Sequence, residues 1–286
     1  MGNDLAPLSA ELLDELEGLA LASALEAGEL LIEGQKGALR VESKSSPTDV
    51  VTHMDRETER LLHDRLLGAR PADGILGEEG AQEVGTSGFT WVVDPIDGTT
   101  NYLYGLPAWA VSIGVEFGGE AVCGVVHVPA MGETFTATLG RGAWLTSMRV
   151  APTTQSVEST TSQLTVRPCA DLASALVATG FGYQARRRRS QAVIVSSLLP
   201  RVRDIRRVGA CSIDLCWLGA GRVDAYFERG VNPWDHSAGG LVAREAGARV
   251  EGLHGSAANY ELLVAASPVI FPDLHDALAQ ARADRD

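Results

Sequence analysis

Apolar residues recur at helical spacing over residues 9–32. Leu12, Leu16, Leu19, Ala27 and Leu30 mark one face, Ser9 is placed to cap the start, and Gly34 is placed to end it. An amphipathic helix is predicted there. A polar loop with Lys44, Ser45, Ser46 and Pro47 follows, and leucines on one side of residues 55–67 predict a second helix beginning near Asp55. Residues 89–93 form an apolar run of strand length that leads directly into a cluster of aspartates, glycine and threonines. From 109 to 145, short apolar stretches alternate with glycine turns at Gly118-Gly119, Met131-Gly132 and 140–142, the pattern of an antiparallel meander.

Beyond a Thr- and Ser-rich stretch at 153–162 the pattern changes. Strands are predicted at 176–179, 205–208, 224–227 and 263–266, separated by helices at 191–202, 211–220, 235–246 and 268–281. The chain therefore reads as α+β in one unit over 1–286, with a helix-plus-sheet half (1–150) and an alternating half (151–286). The 286 residues suffice for a sizeable core, and 45% hydrophobic with 21% charged residues lie near globular averages, which excludes a disordered chain.

Charge narrows the partners. A formal net charge of −13 disfavours nucleic acid or an anionic membrane as the main partner. The basic exception is the run Arg186, Arg187, Arg188 and Arg189, which reads first as a solvated face. Cys123, Cys169, Cys211 and Cys216 show neither CxxC pairing nor zinc spacing, so reduced, buried thiols are expected. Acidic residues at the N-terminus and the lack of any bilayer-length apolar run lead us to expect a cytoplasmic protein with no membrane partner.

The chemistry concentrates in carboxylates with unusual neighbours: Asp55, Glu78 in Gly77-Glu78-Glu79, Asp94 and Asp97 in DPIDGTTNY, Glu228, and Asp235 after Trp234. Hard oxygen donors suit Mg²⁺. Asp94 at a strand end, Pro95 fixing the turn and Asp97 three residues on are spaced to aim two carboxylates and a backbone carbonyl at one point. Gly98 and Thr99 follow, where glycine admits a close ligand and free N–H groups at a helix start suit a phosphate. Turn chemistry alone would explain Asp94 and Asp97, and capping alone would explain Asp55 and Asp235; the other carboxylate motifs weigh against both.

Five ordered segments carry a resemblance to the inositol monophosphatase family: residues 44–55, Glu78 in GEE, 91–102, 208–230 and 234–248. The resemblance implies a layered α-β-α-β-α sandwich, also seen in fructose-1,6-bisphosphatases, that forms a homodimer. It implies two or three Mg²⁺ ions. Glu78, Asp94 and the Ile96 carbonyl would hold the first, Asp94, Asp97 and Asp235 the second, and Glu78 a looser third. Asp55 and Thr99 would orient the attacking water as catalytic residues, together with Glu78. Gly98 and Thr99 N–H groups would hold the phosphate, and Asp97 and Glu228 would accept hydrogen bonds from substrate hydroxyls. Cys211 falls where relatives carry a small residue facing the substrate, and Lys44 falls in the loop that closes near the ions. His236, beside Asp235, is given no role.

The expected reaction is Mg²⁺-dependent, lithium-sensitive hydrolysis of a small phosphorylated polyol, myo-inositol 1-phosphate foremost. Histidinol phosphate, a nucleotide monophosphate and fructose 1,6-bisphosphate are the alternatives within the same chemistry. A regulatory member that binds RNA or another protein through the arginine run is the alternative of another class.

Overall fold

The computed structural model describes residues 8–43, 50–150 and 156–285. In chain order the helices are α1 (Ala10–Gly34), α2 (His53–Ala69), α3 (Thr99–Leu103), α4 (Ala185–Leu198), α5 (Cys211–Gly219), α6 (Pro233–Glu245) and α7 (Phe271–Gln280). A short hairpin pairs β1 (Val41–Ser43) with β2 (Val50–Thr52). The first large sheet takes β3 (Gly74–Gly77), β4 (Gln82–Glu83), β5 (Phe89–Asp97), β6 (Ala110–Phe117), β7 (Glu120–Val128), β8 (Glu133–Thr138), β9 (Ala143–Val150) and β10 (Val157–Gln163) in the order β10-β9-β8-β7-β6-β5-β3-β4. All its neighbours are antiparallel except β3 and β5. The second sheet takes β11 (Leu176–Thr179), β12 (Asp204–Arg206), β13 (Ala225–Glu228), β14 (Arg249–Glu251) and β15 (Leu263–Ala266) in the order β12-β11-β13-β15-β14.

Period-two alternation fixes which layer each strand residue faces. On β6, Val111, Ile113 and Val115 pack against α1 and α2, and the intervening Ser112 and Gly114 face α6. On β13, Ala225 and Phe227 join the cluster of α4 and α7, whereas Tyr226 between them joins that of α5. Separate apolar clusters therefore lie on both faces of each sheet. The result is the α-β-α-β-α sandwich, with α5 and α6 as the shared middle layer.

That middle layer seats itself closely. A Cβ on Gly114 would stand 2.5 Å from Ser237 Oγ, and one on Gly124 would stand 2.9 Å from Ala238 Cα, so α6 lies nearly backbone-to-backbone on the first sheet. This brings Asp235 on α6 beside the C-terminal end of β5.

Several boundaries differ from the sequence expectation. The buried stripe of α1 is Leu13, Leu16, Ala20, Ala24, Ala27 and Leu31, while Leu12, Leu19 and Leu30 pack at its margin. Ser9 does cap it, accepting from Leu12 N–H at 3.2 Å. The second helix begins at His53 rather than near Asp55. Helix α4 starts at Ala185, six residues before the expected 191, and contains the arginine run; it was hidden because its apolar period, Ile194 and Leu198, sits only in its second half. The stretch 153–162 contains most of the edge strand β10, wholly exposed and polar after Val157, so no alternation betrayed it. All four cysteines are free and buried. Among the described residues no helix is long and apolar enough to cross a membrane.

Candidate active site

One cavity of about 460 Å³ opens between the C-terminal end of β5, the start of α5, the end of β13 and the start of α6. Its wall includes Glu78, Asp94, Ile96, Asp97, Gly98, Thr99, Cys211, Glu228 and Asp235. Asp55 stands one residue behind, joined through Thr99. Lys44 lies outside the described residues. His236, beside Asp235, is a half-buried imidazole whose pKa desolvation lowers to about 4, and it does not line the cavity.

β5 runs past the expected 93 to Asp97, and its register against β6 shifts between Asp94 and Asp97. That irregularity frees the segment to curl into the cavity. Asp94 Oδ1 accepts from Ile96 N–H at 3.0 Å, which locks the turn at Pro95. Gly98 then adopts φ +91°, a conformation that glycine accepts without strain, and α3 starts immediately after it. Any side chain on Gly98 would also press on Ala108 O and Ala210 Cβ, at 3.0 and 3.2 Å.

The sequence allowed an N-cap position for Asp55 and for Asp235; the structure places neither there, and the two share a local design three residues into their helices. Thr52 caps α2, with Asp55 at the third helical position accepting from Thr52 N–H at 2.7 Å and Thr52 Oγ1 at 2.6 Å. Asn232 caps α6, with Asp235 at the same position accepting from Asn232 N–H at 2.6 Å. In each capping box one carboxylate oxygen is tied to the backbone and the other is left for chemistry. Asp55 spends its Oδ1 on Thr99 Oγ1–H, 3.0 Å away, a proton that Ile96 O, also at 3.0 Å, competes for. Asp97 is fixed likewise: Ser212 N–H and Oγ–H both donate to its Oδ2, at 2.7 and 2.5 Å.

The electrostatics are those of carboxylates crowded together and withdrawn from bulk solvent. Burial first, then the charges of Glu78, Asp97 and Asp235, hold Asp94 well above the usual carboxylate range. Asp235 is raised in the same way, by enclosure and by Glu78 and Asp97. Burial raises Asp97 to about 6 against the pull of Ser212, and Glu228 to about 7 against the hydroxyl of Tyr226, which donates to its Oε2 at 2.6 Å. Asp55 is raised by burial too.

These shifts have a sign that a melting experiment reads. The native state holds protons on Asp97 and Glu228 that the unfolded chain releases near their ordinary values of 3.8 and 4.5. Their contribution is therefore fully present below about pH 4 and is lost as pH rises through about 6 and 7. In chelator, the melting temperature is expected to fall across that window, and Asp97→Asn with Glu228→Gln is expected to flatten the fall; an unchanged slope in the double variant would refute the assignment.

The residues suit a hard divalent cation. The crowding that raises Asp94, its burial together with the charges of Glu78, Asp97 and Asp235, is what a bound cation would relieve. Among the described residues no group of three or more His, Cys, Asp or Glu side chains is disposed to hold a metal by itself. The carboxylates are spread around the cavity instead, so an ion there would complete its shell with the Ile96 carbonyl, water and substrate oxygens, as Mg²⁺ commonly does.

A sequence profile described as "Inositol monophosphatase family" matches residues 12–285. The chain belongs to the inositol monophosphatase family. An inositol-1-monophosphatase of Mycobacterium bovis is 48% identical over 219 residues, covering 75% of this chain and 71% of the relative. A protein of Vibrio cholerae named Nus factor SuhB is 37% identical over 235 residues, covering 81% and 83%. Among solved structures, Mycobacterium tuberculosis SuhB aligns at a TM-score of 0.78 with 39% identity, covering 95% of this chain and 98% of that one. A Thermotoga maritima IMPase aligns at 0.80 with 30% identity, over the same shares.

Within this family member, several site residues escaped the sequence reading. Thr52, Ser212 and Asn232 hold Asp55, Asp97 and Asp235. Arg187 reaches the mouth from α4, its guanidinium 4.9 Å from the centre of the Tyr260 ring and its Nη1 donating to Tyr260 OH at 2.9 Å. Arg207 lines the cavity and pulls Glu228 toward ionisation. The arginine run itself carried the signal for Arg187; nothing in the sequence pairs it with Tyr260.

Proposed function

We propose that this chain hydrolyses the phosphate monoester of a small polyol, myo-inositol 1-phosphate foremost, with the help of Mg²⁺. The observation that carries the reading is the convergence of Glu78, Asp94, Asp97 and Asp235 on one cavity beside the Gly98-Thr99 turn, with Asp55 held behind Thr99. Glu78, Asp94 and Ile96 O would contribute to one ion and Asp94, Asp97 and Asp235 to a second, with water and substrate oxygens completing each shell; Glu78 would also serve a looser third. Bound there, Mg²⁺ supplies a Lewis acid for the phosphoryl oxygens and lowers the pKa of water.

The chain's own groups do the rest. Thr99 Oγ1 and Asp55 Oδ1 form a hydrogen-bonded pair at the cavity's edge that orients a water and accepts its proton. The N–H groups at Gly98 and Thr99 bind the phosphate oxygens as charge grows on them. Glu228, steadied by Tyr226, and the second oxygen of Asp97 accept from the hydroxyls of the polyol, and Cys211 presents its small side chain to the ring. A water held by Asp235 would give its proton to the departing alkoxide, and the proton that Asp55 takes from the attacking water balances it.

The substrate is tested by rates of phosphate release across myo-inositol 1-phosphate, histidinol phosphate, nucleotide monophosphates and fructose 1,6-bisphosphate. The highest kcat/KM is expected for the inositol ester; preference for another ester would replace the substrate and keep the mechanism. Millimolar Li⁺ is expected to inhibit, and the chain is expected to be a cytoplasmic homodimer.

A second reading, a regulatory RNA-binding member, is favoured by relatives that bear the name Nus factor SuhB. Against it, half of the arginine run is turned back on the protein, Arg187 onto Tyr260 and Arg188 onto the Gly182 carbonyl at 2.8 Å. RNA binding that weakens steeply with salt and is lost when the four arginines become alanine would establish it.

A further inference from the structure

Helix α2 carries a second buried carboxylate one turn beyond Asp55, on the same face. Glu59 is only 6% exposed, yet it faces the loop that follows β3 and lines no part of the catalytic cavity. Both of its oxygens accept from that loop: Oε2 from Glu79 N–H at 2.7 Å, and Oε1 from Ala81 N–H at 2.9 Å. The loop closes on itself as well, with Gly77 N–H donating to Ala81 O at 2.6 Å. A Cβ on Gly77 would overlap the Glu59 carboxylate, so the backbone is wrapped as tightly as glycine permits. Inward-turned N–H groups of this kind ordinarily cradle a bound anion; here the anion is the protein's own.

Glu78 sits inside that wrapped loop, between the glycine that touches Glu59 and the residue whose N–H it binds. We propose that Glu59 is a positioning residue that sets the reach of Glu78 toward Asp94. Because Asp55 and Glu59 project from the same face of one rigid helix, α2 fixes the water-orienting carboxylate and the ion-binding carboxylate relative to each other. The role rests on the Mg²⁺ site proposed above.

The test is calorimetric titration of Mg²⁺ into the purified full-length chain and its Glu59→Gln and Glu59→Ala variants, with melting temperature followed in parallel. Glu59→Gln keeps the volume and one acceptor oxygen but turns an NH₂ toward a backbone N–H, and it is expected to weaken Mg²⁺ binding by ~10-fold or more, within the range usual for groups that orient metal ligands. Turnover is expected to recover at high Mg²⁺, so the loss appears in the Mg²⁺ concentration needed. Leu13→Ala, a core truncation in α1, lowers the melting temperature without altering Mg²⁺ affinity and separates general destabilisation from positioning. If Glu59→Ala does not fold, the glutamine variant carries the test alone. Wild-type affinity in Glu59→Gln overturns the role of Glu59 and leaves the site intact; no Mg²⁺ uptake by the wild type overturns both.

Discussion

Asp94→Asn is expected to abolish phosphate release and, in the same protein, to raise the melting temperature measured in chelator. The two effects have one cause. Asp94 is buried among Glu78, Asp97 and Asp235, and the metal-free fold must keep it protonated far above its ordinary range. Asparagine removes that requirement: it is neutral without holding a proton, and its oxygen still accepts from Ile96 N–H. Each ~1 kcal/mol recovered is worth roughly 2–4 °C in a protein near this size. Activity moves the other way, because the ions that Asp94 would share provide several kcal/mol of transition-state stabilisation, and a loss of ~1,000-fold or more is expected. The added stability conferred by Mg²⁺ on the wild type should shrink as well. A variant that loses activity and melts lower would show Asp94 to be a structural residue.

Thr99→Val and Thr52→Val are expected to fail in opposite ways, although both hydroxyls bind the same aspartate. Thr99 Oγ1 meets Asp55 Oδ1 at the cavity, and Thr52 Oγ1 meets Asp55 Oδ2 behind it. Valine at 99 keeps the shape and deletes the proton link between Asp55 and the reacting water, so kcat should fall ~100-fold or more while the melting temperature changes little. Valine at 52 deletes the helix cap, also satisfied through Met54 N–H at 3.2 Å, and should cost ~0.5–2 kcal/mol of stability. Thr52 N–H still holds Asp55, so its turnover should stay within ~10-fold of wild type. Stopped-assay phosphate release and thermal melts on both variants decide this; equal losses of rate would mean that Asp55 is only a capping residue.

The sequence showed the cavity carboxylates more readily than their supports, for a physical reason. Asp94, Asp97 and Asp235 sit in short local patterns whose residue types already state a chemistry. Thr52, Asn232 and Ser212 are ordinary polar residues, and their roles depend on where a helix starts and on what lies across 115 positions of chain, as between Ser212 and Asp97. Misplacing the start of α2 by two residues was enough to make Asp55 look like a cap and to hide Thr52. Among the elements, long apolar periods were legible, as in β11 and β15, whose bounds match expectation. Short strands such as β3, bounded by glycines, and the polar edge strand β10 draw their stability from pairing partners distant in sequence, which no local pattern encodes.

Spatial convergence is the part that only the fold supplies. The loop after β3, β5, α5, β13 and α6 all deliver groups to the cavity, and α6 can approach only because Gly114 and Gly124 clear the sheet beneath it. The same layering brings Arg187 and Tyr260, 73 positions apart, together at the mouth.

The most direct measurement of the central claim is phosphate release from myo-inositol 1-phosphate by the purified chain as Mg²⁺ is removed with chelator and restored. Release that falls to background in chelator and returns with added Mg²⁺ is the predicted result. Release that persists at full rate in chelator, or that never rises above background at any Mg²⁺ concentration on any of the esters named above, would contradict it.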